Sequence, residues 1–223
     1  MSLDFSILLT VWPALLRGTL VTIQLTLIVL LIATPLGVLV ALGRNARTRW
    51  LRSALAAASW LARGVPPLLL LFFAFFGLPL MGMKLPPLPS AVIGMTVYMA
   101  FYFGEVFRSG LESVPAGQWR AAKALGLSPA RTLVRVVLPQ TLPAALPPYI
   151  SHATEVLKGT ALAAAVAVPE LTSAAKQVFV VTYRPFEILL AAAFIYAVLD
   201  SILLSAQIVG ERWAARRRAV RPR

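Results

Sequence analysis

Long apolar runs alternate with short polar segments along the whole chain. Three predominantly apolar runs lie at 19–42, 90–107 and 186–208, and a helix needs about 20 such residues to cross a bilayer. Two more runs, at 51–81 and 142–168, are long enough but contain prolines. The pattern predicts an all-α fold, a polytopic membrane helix bundle with five transmembrane helices.

Prolines divide two of these predicted spans. At 63–67 the chain reads RGVPP, and two adjacent prolines remove backbone donors and force a kink. We therefore expect a helical approach near 53–62, a break, and then the rest of the second span. The fourth span opens with Pro143, Pro147 and Pro148.

The composition supports membrane insertion and excludes several kinds of site. Apolar residues make up 59% of the chain, the mean hydropathy is +0.82 and 13% of residues are charged, against about 25% in soluble domains. The chain has no cysteine, which excludes disulfides, thiolate nucleophiles and cysteine metal sites. Its single histidine, His152, excludes a histidine-rich metal site.

Positive charge sets the predicted orientation. The net charge is +13, but the basic residues lie between and after the apolar runs, a distribution that argues against nucleic-acid binding. If the N-terminus is outside, the inside segments 44–52, 108–135 and 212–223 hold 15 basic residues and the outside segments hold 4. Because basic residues concentrate on the cytoplasmic side, we expect the N-terminus outside and the C-terminus inside.

This topology divides the chain into three regions. Residues 1–18 lack the positive start of a signal peptide and are predicted to be a short periplasmic or interfacial segment. Residues 19–212 form the transmembrane domain, with a cytoplasmic loop at 114–140. Residues 213–223 form a basic cytoplasmic tail, whose arginines favour anionic lipid.

The loop at 114–140 carries clear helix signals. Pro115 and Gly117 are expected to end the third span, and residues 118–125 are good helix formers. Gly126 can take the left-handed conformation that closes a helix. The loop therefore predicts a first short helix followed by a glycine turn.

A second short helix is predicted after this turn. Ser128 is a natural N-cap, with Pro129 at the first helical position, and Pro139 is expected to stop the helix. Arg131 and Arg135, four apart, would share one face. From the residues alone, the helix pair fits either an anionic lipid surface or a protein partner.

The loop lies within a longer set of motifs that resembles a known family. GQWRAAKALGLSP at 117–129 and VVLPQTLPAALPP at 136–148 resemble the EAA signature of the membrane subunits of type I ABC importers. Further short motifs resemble the polar amino-acid permease branch of that family: RGVP at 63–66, FGLP at 76–79, GEVFR at 104–108, LKGTAL at 157–162, VPEL at 168–171 and TYRPF at 182–186.

The resemblance implies a permease fold, partners and a role for the loop. In that family the loop helix inserts into a cytosolic ABC ATPase, two permease subunits pair, and an extracytoplasmic binding protein delivers substrate. The residues that the resemblance assigns to ATPase coupling are Gln118, Trp119, Arg120, Ala121, Ala122, Leu125 and Gly126. Arg120 stands where the family usually has Glu, so the contact that a carboxylate makes in relatives is not carried over.

Ionisable residues inside the predicted spans are candidate path residues, because charges in a membrane are costly and usually functional. Glu105 either pairs with Arg108 or meets substrate. Glu155 and Lys158, three apart, either neutralise each other or line the path for a zwitterion. Ser151 and Thr160 could add hydroxyl contacts.

Three other ionisable residues are weaker candidates for a functional role. His152 is expected to be a satisfied polar side chain, and Glu170 and Glu187 are expected to be solvated at the outer edge.

The function predicted from these features is transport without chemistry on this chain. It has no G-x-x-x-x-G-K-[ST] loop, so we expect ATP and Mg²⁺ on a partner ATPase and no cofactor here. The expected role is import of polar amino acids, basic ones among them, across a bacterial inner membrane. An ion-coupled carrier using Glu105, Glu155 and Lys158 is the alternative, although the internal repeat typical of such carriers is not found. A lipid-binding anchor protein is a third hypothesis.

Overall fold

The computed structural model describes residues 4–219, and all regular secondary structure in this range is helical. The all-α class is therefore confirmed. The helices are α1 Ile7–Arg44, α2 Arg49–Gly64, α3 Pro67–Leu80, α4 Pro87–Glu112, α5 Ala116–Ala124, α6 Pro129–Val166, α7 Leu171–Thr182 and α8 Pro185–Ala219. The predicted basic tail continues α8 as far as Ala219, and 220–223 lie outside the described residues.

Within this range, three helices are long and apolar enough to cross a membrane alone: α1, α4 and the Pro185–Gly210 part of α8. Two bent pairs, α2 with α3 and α6 with α7, pass the same test when each pair is taken together. The structure therefore accommodates three to five spans. The count of five and the orientation of the termini stay predictions.

Helix α1 runs without a break through the segment predicted to be separate. Its 38 residues span about 57 Å at 1.5 Å per residue, well beyond the roughly 30 Å of a bilayer core. Leu15 is fully buried and packs in a cluster with Leu171 of α7 and Ile188 of α8. This packing carries the helix back to Ile7, and the assignment of residues 1–18 to a periplasmic or interfacial segment stays a prediction.

The break predicted at RGVPP is present. Helix α2 ends at Gly64, α3 begins at Pro67, and the two axes differ by 103°. Val65 and Pro66 between them have extended ψ angles of 133°, as expected for residues preceding a proline. Inside α3, a π-helical turn at Phe73–Gly77 widens the helix before Pro79.

Helix α6 does not stop at Pro139, contrary to the prediction. A π-helical turn at Leu133–Val137 precedes that proline, and such wide turns relieve a proline inside a helix. The helix then continues past three more prolines to Gly159 and ends in a tighter 3₁₀ segment, Thr160–Val166. The second loop helix is thus the first turn of a long helix, and only α5 is a separate short helix.

The main core lies between α1, α3, α4 and α6. It contains Leu25, Val29, Leu71, Met99, Phe103 and Val156. Helices α1 and α4 approach so closely that a Cβ on Gly37 would lie 2.6 Å from Phe103 Cβ. Such small-residue contacts bring helix backbones together in membranes. This packing brings the ends of α1, α2 and α4 together at the end of the bundle that carries α5, here called the loop end.

Candidate functional site

Helix α5 stands between two turns at the loop end. Pro115 is its N-terminal cap residue, and Gly117 lies inside the helix instead of ending α4 as predicted. Gly126 has φ +71°, and Leu127 N–H donates to Ala122 O at 3.0 Å. The predicted left-handed glycine turn is therefore present.

The Ser128 side chain caps the following helix. Its hydroxyl accepts a hydrogen bond from Arg131 N–H at 3.4 Å, with Pro129 at the first position of α6. Thus α5 and α6 meet at an angle that the Gly126 turn and the Ser128 cap define together.

Six of the seven predicted coupling residues are exposed: Gln118, Trp119, Arg120, Ala121, Leu125 and Gly126. Leu125 is 80% exposed and Trp119 40%. Ala122 differs, because it is 3% exposed and lies on the side of α5 that packs toward the bundle. It can support the exposed surface from beneath but cannot form part of it.

Basic residues surround this surface. Arg120, Lys123, Arg131 and Arg135 are exposed, and none of them makes an ion pair within the described range 4–219. The loop end therefore presents an apolar side chain, Leu125, among unneutralised cations.

Glu105 is the centre of an ion-pair cluster below the loop end. It accepts a hydrogen bond from Arg108 Nε at 2.9 Å, so the expected local pair is present. Arg44 of α1 and Arg63 of α2 also approach its Oε2, at 3.6 and 4.0 Å, and Arg108 pairs in turn with Glu112. The carboxylate thus joins the ends of three helices, which the spacing of residues along α4 could not reveal.

Of the two alternatives for Glu155 and Lys158, mutual pairing is not what the structure shows. Glu155 Oε2 lies 2.8 Å from His152 Nδ1, one turn earlier on α6. Lys158 Nζ donates to Asp200 Oδ2 of α8 at 3.3 Å. Each of the two side chains contacts another residue, so Glu155 and Lys158 do not pair with each other. Both still have exposed side chains, 53% for Glu155 and 56% for Lys158.

Glu155 lies on a cavity of about 200 Å³ between α3, α4 and α6. The other residues that line the cavity are Pro67, Leu71, Met95, Tyr98, Met99, Gly159 and Leu162. Glu155 is the only carboxylate among these described residues. A small apolar cavity with one carboxylate at its wall can accept a group that is partly apolar and positively charged.

Ser151 and Thr160, the predicted hydroxyl contacts, do not line this cavity. Ser151 Oγ donates to Pro147 O at 3.2 Å, and Thr160 is fully buried, with its hydroxyl donating to Leu157 O at 2.7 Å. Serine and threonine hydroxyls commonly bond to the carbonyl one turn earlier in membrane helices, and both hydroxyls make such a local bond here.

A row of rings connects the cavity with the ion-pair cluster. Tyr98 and Tyr102 have ring centroids 4.8 Å apart, and the Tyr102 ring lies 5.1 Å from that of His152. Arg63 Cζ lies 5.9 Å from the Tyr102 centroid, within cation–π range. These tyrosines were not predicted as site residues, although Tyr98 and Tyr102 are four residues apart and precede Glu105 on the same helix.

Glu170 and Glu187 are buried, not solvated as predicted. Glu170 is fully buried and caps α7, accepting hydrogen bonds from Ser173 N–H at 2.7 Å and Thr172 N–H at 2.8 Å. Tyr196 of α8 donates to the same carboxylate at 2.7 Å. This junction ties α7 to α8. A lone glutamate after a proline gave no signal of a tyrosine 26 residues later.

Glu187 belongs to a cluster of charged side chains at the end of the bundle away from α5. It accepts a hydrogen bond from Asp4 N–H at 3.2 Å, and Arg184 Nη1 lies 3.5 Å from Glu187 and 3.4 Å from Asp4 Oδ2. Hydrogen bonds from the Ser6 hydroxyl and amide lower the pKa of Asp4. The aspartate therefore stays charged at neutral pH and holds the start of α1 near α8.

Comparison with known sequences identifies the family. Residues 33–214 match the family described as the binding-protein-dependent transport system inner membrane component. The L-cystine transport system permease protein TcyB of Bacillus subtilis is 34% identical over 202 residues, covering 90% of this chain and 86% of TcyB. The nopaline transport system permease protein NocM of Agrobacterium fabrum is 29% identical over 221 residues, covering 95% and 92%.

Solved structures show the same fold. One chain from the crystal structure of an amino acid ABC transporter with histidines superposes with a TM-score of 0.88 at 27% identity, covering 95% of this chain and 99% of that chain. A chain of the MetNI methionine ABC transporter superposes with a TM-score of 0.72 at 22% identity, covering 92% and 96%, a likeness of fold alone. The family match, the relatives and these folds confirm the family that the motifs indicated, and the chain belongs to the family of binding-protein-dependent transport system inner membrane components.

Proposed function

We propose that the chain is the permease subunit of an ABC transporter that imports polar amino acids, energised by ATP hydrolysis on separate cytosolic subunits. Relatives named for cystine and nopaline transport support the amino-acid class. The chain itself supplies the path and the coupling surface. ATP and Mg²⁺ belong to the partner ATPase.

The observation that carries this proposal is the charged, exposed face shared by α6 and α8. Glu155 and Lys158 have more than half of their side-chain surface open, and Ser201, next to Asp200 on α8, is exposed as well. Charged groups in a membrane span face a protein neighbour or a water-filled path, since lipid contact is too costly. A second permease subunit, either a copy or a relative, would cover this face and enclose a path along it.

The loop end supplies the proposed contact with the ATPase. Leu125 can enter an apolar groove, because 80% of its surface is free, while Gln118, Trp119, Arg120, Ala121 and Gly126 surround it. The exposed cations beside it favour an acidic rim on the partner. Closure of the ATPase dimer would then pull on α5, and α6 would transmit the movement toward Glu155.

The cavity beside Glu155 indicates the substrate group that this subunit contacts. A carboxylate against methionine and tyrosine walls suits an ammonium or guanidinium group on an alkyl stem, through charge and cation–π contact. We therefore infer basic or zwitterionic amino acids as substrates. An extracytoplasmic binding protein would deliver them at the end of the bundle that holds Arg184, with the loop end in the bacterial cytoplasm.

The test is uptake by proteoliposomes that contain the permease, its co-purifying ATPase and its binding protein. We expect ATP-dependent accumulation of one or more of labelled arginine, lysine, histidine, glutamine and cystine. Failure of every amino acid to accumulate, with the ATPase active, would overturn the substrate class. Accumulation driven by a proton or sodium gradient without ATP would support the ion-coupled alternative instead.

A further inference from the structure

We propose that α2 and the turn before it form a docking site for anionic phospholipid headgroups. Arg47, Arg49 and Arg52 would bind the phosphates, and Trp50 and Leu61 would hold the helix in the acyl region. The site is separate from the proposed coupling surface and does not depend on which solute the subunit transports.

The charge of this segment is unbalanced. Residues 44–63 contain five arginines, and no acidic residue occurs between Asp4 and Glu105. Arg44 and Arg63 approach the Glu105 carboxylate. The other three arginines are exposed, and in the described part of the chain none of them makes an ion pair. They form a local cluster of three positive charges with no protein partner.

Helix α2 has two distinct sides. Ser59 and Ala62 are buried, 1% and 8% exposed, and face the bundle. Trp50 and Leu61 project from a second side and are 71% and 59% exposed. At 100° per residue, Arg49 lies between these two sides and Arg52 lies at the edge of the buried side. Arg47 lies in the turn before the helix. A helix with a free apolar side and arginines away from it is typical of helices that lie in a membrane interface.

The bend between α2 and α3 gives α2 the orientation of a helix that lies in a membrane interface. Their axes differ by 103°, so α2 lies close to the bilayer plane if α3 crosses the bilayer. Its apolar side then turns toward the acyl chains while the arginines stay at the depth of the phosphates. Trp60, which is 76% exposed, would sit at the headgroup level, where tryptophan is enriched.

Anionic lipid fits these features better than a protein partner. A protein groove would cover the apolar side and the arginines together, whereas here they point in different directions. A bilayer surface offers acyl chains on one side and phosphates on the other. Each basic residue near an anionic surface strengthens attachment by about fivefold, so three arginines produce a measurable preference.

The experiment measures tryptophan quenching in the full-length protein. The permease is placed in phosphatidylcholine nanodiscs that contain increasing fractions of dibrominated phosphatidylglycerol or, separately, dibrominated phosphatidylcholine. We expect half-maximal quenching at a fraction of the anionic lipid that is lower by about fivefold or more, the effect of at least one basic residue at an anionic surface. Trp50→Phe should remove most of this difference, which assigns the signal to α2.

Charge variants locate the site. The triple variant Arg47→Gln/Arg49→Gln/Arg52→Gln should abolish the preference, and the triple lysine variant at the same positions should keep it. The matched control Arg17→Gln/Lys84→Gln/Lys176→Gln removes the same charge from exposed residues outside this segment and should also keep it. If the glutamine variant does not fold, added salt should remove the wild-type preference, since salt screens surface charges.

Four results would overturn the proposal. They are equal quenching by both lipids in the wild type, a preference that survives the glutamine triple variant, an equal loss in the control variant, and a wild-type preference unchanged by salt. If the glutamine triple variant no longer co-purifies with the ATPase but keeps the lipid preference, the three arginines belong to a protein interface instead.

Discussion

The carboxylate of Glu170 accepts three hydrogen bonds in a fully buried position, and no cation lies within ion-pair distance of it among the described residues. Two donors are the first free amides of α7, where a negative charge is favourable. The third is the Tyr196 hydroxyl on α8. One side chain therefore caps a helix and fixes the helix beside it.

Replacing Glu170 tests this junction. Glu170→Ala leaves the donors without an acceptor and should lower the free energy of unfolding by about 1–3 kcal/mol. Tyr196→Phe removes the hydrogen bond to Glu170 and the hydroxyl contacts with Thr172 and Thr160, and should cost about 1 kcal/mol or more. Thermal unfolding in detergent would measure both. An unchanged midpoint for Glu170→Ala would show that the junction does not contribute to stability.

Glu155 is the residue on which the proposed specificity depends. Glu155→Gln keeps the shape of the cavity wall but removes the charge, so the KM for a cationic substrate should rise by about tenfold or more, the magnitude of one charged hydrogen bond. The matched control is Glu112→Gln, a carboxylate at the loop end that pairs with Arg108. Initial uptake rates over a range of concentrations measure the effect. Equal KM values for both variants would remove Glu155 from the path.

Several single-residue roles could not be predicted because the partner lies on another helix. His152 and Glu155 are three apart on one helix, yet their spacing alone did not favour that pair over Glu155 with Lys158. The deciding contact is with Asp200 on α8, which accepts a hydrogen bond from Lys158 Nζ. Likewise, Arg44 and Arg63 reach Glu105 only because α1, α2 and α4 converge.

At the scale of elements, the turn that closes α5 was predictable in detail, whereas the start of the helix was not, since Gly117 lies inside it. Glycine after good helix formers, followed by serine and proline, identified the turn and the N-cap correctly. The continuation of α6 past Pro139 was not predictable, because the rule that proline stops a helix assumes regular hydrogen bonding. The π-helical turn before Pro139 removes the clash, and its sequence, LVRVV, carries no recognised signal.

The Gly126 turn should be essential for coupling. Gly126→Val places a branched side chain at φ +71°, which costs about 1–2 kcal/mol and reorients α5 relative to α6. We expect loss of ATPase association in co-purification, with normal membrane insertion. Gly82→Val is the matched control, since Gly82 has φ +85° and open space around it but lies outside the loop. Association retained by the Gly126 variant would exclude the docking role.

At the scale of the molecule, the number of spans decides where each surface lies. Leu125 is 80% exposed on the loop and Tyr183 is 85% exposed on the turn between α7 and α8. If α6 and α7 together form one span, these residues lie on opposite sides of the membrane. If α7 returns to the side where α6 began, they lie on the same side.

Cysteine labelling answers this question directly, because the chain has no cysteine of its own. In intact cells, an impermeant maleimide should label Tyr183→Cys, and it should label Leu125→Cys only after the membrane is opened. Equal labelling of both variants in intact cells would contradict the five-span topology with the loop inside.

The class, the family and the loop turn followed from the sequence because they depend on local patterns: apolar run length, turn residues and short motifs. Other features could not be predicted in this way, because each depends on contacts between helices that are distant in sequence. They are the continuity of α1 and α6, the burial of Glu170 and the pairing of the charges. The extension of α1 to Ile7 is an example, since Leu15 packs against residues more than 150 positions away.

ATP-dependent uptake with and without the ATPase distinguishes a permease subunit driven by ATP hydrolysis from a self-sufficient carrier. Proteoliposomes containing the permease and its binding protein are compared with the same preparation carrying the co-purifying ATPase, both loaded with ATP and Mg²⁺ on the ATPase side. We expect accumulation of labelled amino acid only when the ATPase is present, and loss of that accumulation in the Gly126→Val variant. Equal accumulation without the ATPase would contradict this expectation.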